Sequence, residues 1–386
     1  MPTNGTPNAP LLPEVRKIAV VRANALGDYI FVIPALQALR AAYPGAEIIL
    51  FGQQWHAEFL TGRPGPVDHV EVLPKLAGFG GAPEMTVSNA VRSSPEVKDF
   101  FVRMRSQRFD LALQLHGGGR HSNPVAHALG ARLTAGLRDH GAPDLGRTLN
   151  YQYFQPEVFR YLEVAEMVGA PPVTFEPRLE LTEKDLDEAQ RVFYDGRDHG
   201  QPWIALHPGA TDSRRRWPAE RFTQIGDALA AADYRIIVTG TGAEAALVKQ
   251  ICSAMRAPAH GLVDALSVGG LAALYARCAL VISNDTGPMH VAAAVGTPTV
   301  GLYWIGNLIN GGPVYRRRHR PVVSWTVRCP TCGTDVTRDG YRHRPGSGCA
   351  HRPSFLADIP EAEVREHAFA LLREAKLPTE RVGQWR

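Results

Sequence analysis

The sequence predicts an α/β protein with two domains, each built on a parallel β-sheet. Short apolar runs typical of buried strands alternate with longer helical segments in both halves of the chain, and this βα alternation favours parallel sheets. Prolines cluster between the halves at residues 170–177 (APPVTFEP), as expected of a linker. The length of 386 residues suffices for two domains of ordinary size. We therefore expect a ligand cleft where the carboxyl ends of both sheets face each other.

Composition excludes several classes of protein. With 45% hydrophobic and 21% charged residues the chain is globular, and a net charge of +4 is too small to argue for nucleic-acid binding. No apolar run reaches the ~18 residues of a membrane span. Residues 1–16 are polar and rich in Pro and Asn, so we expect a disordered leader rather than a signal peptide or an anchor. The 5 cysteines argue against a disulfide framework, and the cytoplasm is the expected compartment.

The chain opens with a βαβ unit. Residues 17–22 (KIAVVR) predict a strand, residues 23–28 (ANALGD) a turn, residues 29–42 an amphipathic helix and residues 47–51 a second strand. The turn carries one glycine, Gly27, instead of the three of a dinucleotide-binding fingerprint. An oxidoreductase that binds a dinucleotide is therefore disfavoured.

A glycine-rich loop follows a later strand of the first half. Further strands are predicted at residues 69–73 and 111–115, and the second of them leads into residues 116–120 (HGGGR). His116 and Arg120 supply two potential cations to this loop. The loop either lines the ligand cleft or is a flexible glycine loop with a surface arginine, and the sequence leaves both interpretations open.

The second half repeats the alternation of strands and helices. A strand at residues 203–206 is followed by His207-Pro208-Gly209, and a run of three arginines, residues 214–216, precedes Trp217. The pattern continues with a helix, a strand, a glycine turn and a helix, at residues 219–231, 235–239, 240–244 and 245–255.

The stretch at residues 283–298 (SNDTGPMHVAAAVGTP) predicts a tight turn and a short helix between two buried strands. The strands are residues 279–282 and 299–303. Thr286 suits the N-cap of the helix, and Pro288 stands where proline is tolerated, in the first helical turn.

This turn also predicts an anion site. The free backbone N–H groups at the start of the helix, those of Thr286, Gly287 and Met289, would lie at the carboxyl end of the sheet and suit a phosphate. Asp285 would repel a phosphate, so we expect its carboxylate to accept from sugar or ribose hydroxyls. The alternative is an ordinary βα turn whose polar residues only cap the helix.

Three segments together resemble a known enzyme family. They are VVRANALGDYIFVIPALQALRAAYP, HPGATDSRRRWPAERF and NDTGPMHVAAAVGTPTVGLY. In this order they are similar to segments of glycosyltransferase family 9, the ADP-heptose:lipopolysaccharide heptosyltransferases, and the similarity covers residues 17–310. The resemblance implies the GT-B fold, with two facing Rossmann-like domains and the sugar nucleotide held mainly by the second. It also implies an inverting reaction that requires no metal.

The resemblance assigns roles to the predicted domains. Residues 17–175 would bind the acceptor, residues 176–328 the sugar nucleotide, and residues 329–386 form a cysteine-containing tail with a final helix at 361–375. The implied partners are an ADP-sugar donor and an anionic glycolipid or glycan, at the inner face of a membrane with peripheral contact to it. The alternatives are a GT-B-like nucleotide-sugar epimerase or hydrolase, a protein-modifying heptosyltransferase, and a binding module without catalysis.

Asp28 matches the acidic residue taken to be the family's general base. An aspartate at this place can take the proton of an acceptor hydroxyl as it attacks the anomeric carbon. The alternative is that Asp28 only caps the following helix. The resemblance places Gly27, His116 and Arg120 on the acceptor side, although His116 is equally well explained as a structural histidine.

Arg215 stands where the family commonly has a lysine that reaches the diphosphate of the donor. An arginine in place of the lysine keeps the positive charge and adds a guanidinium that can bind a phosphate through two hydrogen bonds. Arg214 or Arg216 can take this role instead. A further alternative is that the three arginines are only a solvent-exposed run of charges. The other positions assigned to donor binding are Asp285, Thr286, Gly287, His207, Gly209 and Glu244. We expect Asp285 to face Asp28 with the donor between them.

The tail contains a candidate metal site. Cys329 and Cys332 have C-x2-C spacing and are followed by Cys349 and His351, a pattern that resembles a structural zinc site. Some heptosyltransferase-like proteins that modify other proteins carry a cysteine-liganded iron in this region, so iron is an alternative. The residues can also be plain cysteines without a metal, and any metal here would be structural rather than catalytic.

Overall fold

The computed structural model describes residues 10–193, 200–335 and 349–376. The chain divides into two compact units, Met1–Thr182 and Glu183–Arg386. Each unit contains a six-stranded sheet in which every strand pairing is parallel, so the predicted α/β class with two parallel sheets is confirmed. The predicted linker at residues 170–177 contains neither helix nor strand. None of the described helices is long and apolar enough to cross a membrane.

The first unit alternates strands and helices along the chain. Its strands are β1 (Lys17–Val21), β2 (Glu47–Gly52), β3 (His69–Val72), β4 (Leu111–Gln114), β5 (Leu133–Arg138) and β6 (Arg147–Asn150). Its helices are α1 (Leu26–Ala42), α2 (Gln54–Leu60), α3 (Val87–Ser93), α4 (Pro95–Ser106), α5 (Ser122–Ala128) and α6 (Glu157–Glu166). The strands lie in the order β3-β2-β1-β4-β5-β6. The predictions for β1 to β4 are confirmed, with ends that differ by about one residue.

The centre of the first sheet is buried on both faces. Strands β1 and β4 are almost entirely inaccessible, because apolar residues without alternation suit a parallel sheet that helices cover on both sides. Val21, the last residue of β1, pairs with Phe51 of β2 and Gln114 of β4. The neighbouring strands therefore end at the same level, and this places the residues that follow β1 beside those that follow β4.

Helix α1 begins at Leu26, whereas the sequence predicted a start at residue 29. The reason is Asp28, the third residue of the helix. Its Oδ2 accepts a hydrogen bond from the Ala25 N–H at 3.1 Å, which closes the first turn in the manner of a capping box. Asp28 therefore lies inside the helix rather than in the turn that precedes it.

The predicted leader at residues 1–16 is described in part. Residues 1–9 lie outside the described residues. In the rest, the Leu12 N–H donates to the hydroxyl of Tyr43 (3.2 Å) and the Arg16 N–H donates to Oδ2 of Asp110 (2.7 Å). These contacts hold residues 10–16 against the first unit, so the expected disorder is wrong for this part of the leader.

The second unit repeats the same alternation. Its strands are β7 (Trp203–His207), β8 (Arg235–Gly240), β9 (Ala259–Val263), β10 (Leu280–Asn284), β11 (Thr299–Trp304) and β12 (His319–Ser324). Its helices are α7 (Glu183–Phe193), α8 (Ala219–Ala230), α9 (Ala245–Ala254), α10 (Val268–Arg277), α11 (Gly287–Ala294), α12 (Ile305–Gly311) and α13 (Glu361–Lys376). Two short 3-10 turns lie at Ser213–Arg215 and Gly242–Glu244. The strand order is β12-β11-β10-β7-β8-β9.

Strand β10 lies in the centre of the second sheet, between β11 and β7. Ser283 of β10 pairs with His207 of β7 and with Gly301 of β11, so the loops after these strands start close together. The final helix α13, which the sequence predicted, buries Val364, Leu371 and other apolar residues in the core of this unit. The cysteine-containing tail therefore connects two parts of the same packed unit.

Candidate functional site

Asp28 is held from two sides and remains partly accessible. Its Oδ1 accepts a hydrogen bond from Nη2 of Arg22 at 3.0 Å, while its Oδ2 accepts from the Ala25 N–H. The two contacts fix the carboxylate plane, and 35% of the side chain stays exposed to a partner from outside. Asp28 thus caps α1, as one of the two interpretations of the sequence held, and still presents a charged, oriented carboxylate.

Arg22, which follows β1, organises this region. The side chain is 1% exposed, and its guanidinium donates to the carbonyl of Leu115 (2.7 Å), to the hydroxyl of Tyr161 (2.5 Å) and to the carbonyl of Asp28 (3.0 Å). Burial acts to lower the pKa of Arg22, but attraction by Tyr161, Asp28 and Glu157 outweighs it and the pKa is raised. Arg22 is therefore a buried, permanently charged residue.

Helix α6 supplies the rest of this network. Glu157 lies 3.6 Å from Arg22, accepts a hydrogen bond from Tyr161 and forms an ion pair with the buried Arg160. Sequence reasoning missed Arg22, Glu157 and Tyr161. A charged residue directly after a buried strand was a usable signal for Arg22. No local signal pointed to the partners, which lie more than a hundred residues further along the chain.

His116 makes the contacts of a structural histidine. Its Nδ1 accepts a hydrogen bond from the Ala23 N–H at 3.2 Å, and its ring lies 4.4 Å from the ring of Phe79. Burial and the charge of Arg22 lower the pKa of His116 to about 3, so the ring is neutral near pH 7. Its predicted role in acceptor binding stays a prediction.

The glycine loop after β4 is held in place rather than loose. Gln114 donates to the carbonyls of His116 (2.7 Å) and Gly117 (3.0 Å), and a Cβ on Gly119 would lie 2.5 Å from the amide of Asn123. Gly119 has a φ of 90°, which favours glycine. Arg120, predicted to bind the acceptor, is exposed at the end of this loop, and Gly27 is buried in the first turn of α1.

In the second unit, Asp285 is the centre of the candidate donor site. Its Oδ1 lies 3.1 Å from Nε2 of His290, its Oδ2 accepts from the Asn307 amide at 2.9 Å, and Nη1 of Arg215 lies 3.7 Å from Oδ2. The side chain is 8% exposed. Burial acts to raise the pKa of Asp285, but His290, Arg215 and Asn307 outweigh it and the pKa is lowered.

Both carboxylate oxygens of Asp285 therefore have protein partners. The sequence assigned this carboxylate to sugar hydroxyls, and it missed His290 and Asn307 as its neighbours. His290 lies on α11 within the stretch that the sequence singled out. Asn307 lies on α12. The sequence of this helix did not indicate a binding role, because it contains no charged residue and no recognisable motif.

The three consecutive arginines point to different partners. Arg214 forms a fork with Asp212, with Nε 2.9 Å and Nη2 2.5 Å from Oδ2. Arg216 donates from Nε to the carbonyl of Ala210 at 2.8 Å. Arg215 alone among the three contacts Asp285, through the ion pair and a 3.4 Å contact to its carbonyl. This arrangement favours Arg215 over its neighbours for a ligand at the start of α11.

Asn284, the last residue of β10, binds one end of the loop that carries the three arginines, residues 212–217 (the arginine loop). Its side chain is fully buried; Oδ1 accepts from the Trp217 N–H at 3.0 Å and Nδ2 donates to the carbonyl of Pro208 at 2.7 Å. These bonds join the loop after β7 to the end of β10. They hold the Trp217 end of the arginine loop against the sheet.

The first turn of α11 corrects one detail of the predicted anion site. Thr286 is the N-cap by position, but its side chain makes no capping hydrogen bond. The Met289 N–H donates to the carbonyl of Thr286 at 3.0 Å, because the turn closes with a bond between residues three apart. The predicted set of anion-binding amides is reduced to those of Thr286 and Gly287.

The loop after β7 brings together three of the residues assigned to donor binding, namely His207, Gly209 and Glu244. A Cβ on Gly209 would lie 1.9 Å from Oε1 of Glu244, so only glycine fits there. Glu244 Oε2 accepts from the Thr241 N–H at 2.9 Å. His207 lies 3.0 Å from the hydroxyl of Thr239, and burial lowers its pKa to about 4 despite the opposing effect of Glu244.

The predicted metal ligands of the tail are also neighbours. One ligand atom of each of Cys329, Cys332, Cys349 and His351 lies within 4.8 Å of the others. Sγ of Cys349 is 3.4 Å from Sγ of Cys332 and 3.3 Å from Nδ1 of His351. Gly333, with a φ of 72°, turns the chain so that its N–H donates to the Cys329 carbonyl at 2.8 Å. The four side chains thus bring three thiols and one imidazole close together.

A family model and curated relatives both indicate the same protein family. The sequence model described as glycosyltransferase family 9 (heptosyltransferase) matches residues 97–327. Lipopolysaccharide heptosyltransferase 3 of Escherichia coli is 30% identical over 295 residues, which make up 72% of this chain and 80% of that protein.

Solved structures share the fold. The ADP-heptose lps heptosyltransferase II of E. coli superposes with a TM-score of 0.70 at 20% identity, covering 94% of this chain and 100% of that one. The iron-containing dodecameric glycosyltransferase TibC of enterotoxigenic E. coli H10407 superposes with a TM-score of 0.52 at 12% identity, covering 95% and 78%. The predicted GT-B class is confirmed by the two parallel sheets and by these likenesses.

Proposed function

Because the chain belongs to glycosyltransferase family 9, the heptosyltransferases, we propose that it transfers a heptose or a related sugar from an ADP-sugar to an anionic acceptor. The acceptor we propose is a glycolipid or glycan of lipopolysaccharide core assembly. The names of similar proteins support this donor and this acceptor. They include lipopolysaccharide heptosyltransferases and the ADP-heptose lps heptosyltransferase II of E. coli. The protein would act in the cytoplasm, at the inner face of the membrane and in peripheral contact with it.

The observation that carries the donor assignment is the position of Arg215. Its guanidinium lies against Asp285, directly before the N-terminus of α11. A diphosphate placed there would receive the amides of Thr286 and Gly287, the positive end of the helix dipole and a bidentate guanidinium. Asp285 would orient Arg215 and accept sugar hydroxyls only with the lone pairs that its protein partners leave.

The ribose and base of the nucleotide would lie beside Glu244. Its Oε2 accepts a hydrogen bond from the Thr241 N–H, and its Oε1 lies against Gly209 in the loop after β7. A carboxylate oxygen at this position suits the hydroxyls of a ribose. His207, neutral and bonded to Thr239, would shape the wall of this site rather than carry charge.

The reaction would be one direct displacement at the anomeric carbon. The acceptor oxygen forms the new bond to that carbon as Asp28 takes its proton, and the electron pair of the breaking carbon–oxygen bond leaves with ADP. Arg215 and the α11 amides would stabilise the charge that develops on the leaving diphosphate. A single displacement inverts the anomeric configuration, and none of these steps uses a metal.

Arg22 would orient the base in this mechanism. It binds Oδ1 of Asp28 and the carbonyl of the same residue, and the half-buried Glu157 and the buried Tyr161 hold it in turn. Gly27, His116 and Arg120 would lie along the path of the acceptor, as the resemblance implies. An exposed arginine at the end of a fixed loop suits an anionic group of the acceptor.

A structural metal fits the cysteine cluster. Three thiolates and an imidazole are a donor set that zinc or iron prefers, and their spacing lets one ion touch all four. The iron-containing TibC supports iron as one choice. The sequence resemblance links a cysteine-liganded iron to heptosyltransferase-like proteins that modify other proteins, so a protein acceptor is the second candidate function. An epimerase or hydrolase is disfavoured by the family.

Nucleotide binding tests the donor assignment. Isothermal titration should show ADP binding to the full chain with higher affinity than UDP or GDP, because the proposed donor is an ADP-sugar. Turnover of the ADP-sugar should require an acceptor, which separates transfer from hydrolysis. Preferential binding of UDP or GDP would overturn the donor assignment.

A further inference from the structure

A short segment connects the cysteine cluster to the arginine loop of the second unit. The segment is residues 354–356, three residues beyond the cluster residue His351, and the arginine loop is residues 212–217. The Phe355 N–H donates to the Arg214 carbonyl at 2.8 Å, and Oγ of Ser354 donates to the Arg216 carbonyl at 2.5 Å. The two hydrogen bonds therefore bind the carbonyls of the residues on either side of Arg215.

Phe355 is also part of the wall of the cysteine cluster. Its ring is 1% exposed and packs with buried Cys329, while Cys349 and Trp304 pack against the same pair. The guanidinium of Arg214 lies 5.9 Å from the centre of the ring. One buried aromatic residue therefore touches both the candidate metal ligands and the loop that presents Arg215.

A second connection runs through Trp304 to Asp285. The ring of Trp304 lies 5.7 Å from that of Phe355, and its Nε1 donates to the Thr326 carbonyl at 2.7 Å. Trp304 is also the N-cap of α12, and Asn307 on this helix binds Oδ2 of Asp285. The cluster is thus joined to both partners of the ion pair between Arg215 and Asp285.

We propose that Ser354 and Phe355 are positioning residues, through which a metal in the cysteine cluster fixes the arginine loop and raises the affinity for the nucleotide. The four ligands come from two segments, 329–332 and 349–351, and a metal that joins them holds the start of residues 354–356 in place. Without it, the two hydrogen bonds must immobilise that segment alone, at a larger entropic cost. The proposal rests on the proposed function, since it takes the nucleotide to bind at Arg215.

The test compares the full chain with and without zinc or iron, together with Ser354→Ala. This substitution removes the bond to the Arg216 carbonyl and the 3.1 Å bond that the same hydroxyl accepts from the Leu356 N–H, but it leaves every cluster ligand intact. Thr326→Val is the matched control, because it removes the hydroxyl bond to Asp358 (3.1 Å) and leaves the bonds from Ser354 and Phe355 to the arginine loop intact. The measurements are metal content, ADP affinity, and hydrogen exchange of the amides at residues 212–217.

We expect chelation and Ser354→Ala each to weaken ADP binding by roughly 2- to 10-fold, which is the range of a neutral hydrogen-bond effect, and to accelerate exchange at residues 212–217. Metal content should stay unchanged in Ser354→Ala, and Thr326→Val should match the wild type. Unchanged exchange and affinity in Ser354→Ala, or a cluster that takes up neither metal, would overturn the proposal. Absence of ADP binding in the wild type would instead contradict the donor assignment, while the exchange data would still decide the coupling.

Discussion

The carboxylate of Asp28 is oriented by Arg22 and by the Ala25 N–H, and it remains open to a partner on one side. Asp28→Asn keeps the shape and an oxygen that can cap α1, but it removes the base. We expect turnover to fall by roughly 10²–10⁴-fold, since that is the usual contribution of a general base, with ADP affinity nearly unchanged. Steady-state kinetics and titration with ADP measure the two quantities separately.

The melting temperature of Asp28→Asn serves as its control, because loss of the ion pair with Arg22 also affects stability. The anomeric configuration of the product completes the test. A product with retained configuration, or near-normal turnover in a folded Asp28→Asn protein, would remove Asp28 from the role of general base.

Arg215 differs from its neighbours because it contacts Asp285, while Arg214 is bound by Asp212. We expect Arg215→Ala to weaken ADP binding by about 1.5–3 kcal/mol, the typical strength of a charge-assisted hydrogen bond, and Arg215→Lys to weaken it less. Calorimetric titration of both variants checks this order. Arg256→Ala, at an exposed position of the same unit, is the control for a general loss of positive charge. Equal affinity in the wild type and Arg215→Ala would move the role to another residue.

At the scale of elements, the loop after β7 depends on the contact between Gly209 and Glu244. In Gly209→Ala the new methyl group would lie 1.9 Å from Oε1 of Glu244, so the loop or the carboxylate must shift. We expect weaker ADP binding and a lower melting temperature, since the same loop leads to the arginines. Gly45→Ala, in a turn with no atom within 4 Å of the added carbon, is the matched control and should melt like the wild type.

Several elements could be predicted from the sequence because each carries its own local signal. Buried apolar runs gave β1, β2, β4, β7, β8, β10 and β11, and N-cap and proline positions gave α11. The start of α1 was misplaced because a capping aspartate can stand in the first turn as well as before it.

Partners distant in the sequence could not be predicted. Arg22 meets Tyr161 across 139 residues, and Asp285 meets Asn307 across 22. Such pairs follow from strand order and register, which local patterns do not specify. The site was therefore identified where the family resemblance named its residues, whereas the residues that orient them became visible only in the folded chain.

At the scale of the whole molecule, stability should depend on pH through buried histidines in both units. Burial lowers the pKa of His56, His116 and His319 to about 3 and that of His207 to about 4. An unfolded histidine has a pKa of about 6.5. As the pH falls through that value, these histidines bind protons in the unfolded chain but stay neutral in the folded chain. The contribution of these neutral histidines to stability is therefore complete above about pH 6.5 and is lost as the pH falls towards about 4 to 3, and this loss begins before most carboxylates titrate.

His56 allows this mechanism to be tested at one residue. Its side chain is fully buried, its ring stacks on Trp55 at 3.7 Å, and its Nε2 has no hydrogen-bond partner among the described residues. His56→Phe keeps an aromatic ring there and removes one titrating group, at the cost of the 3.0 Å bond from the Gln53 N–H to Nδ1. By calorimetry, we expect the melting temperature of the wild type to decrease between pH 7 and pH 5, and that of His56→Phe to decrease less. His140→Asn, at an exposed position, should follow the wild type. If His56→Phe loses as much stability on acidification as the wild type, then protonation of the unfolded histidines does not govern the acid sensitivity of this protein.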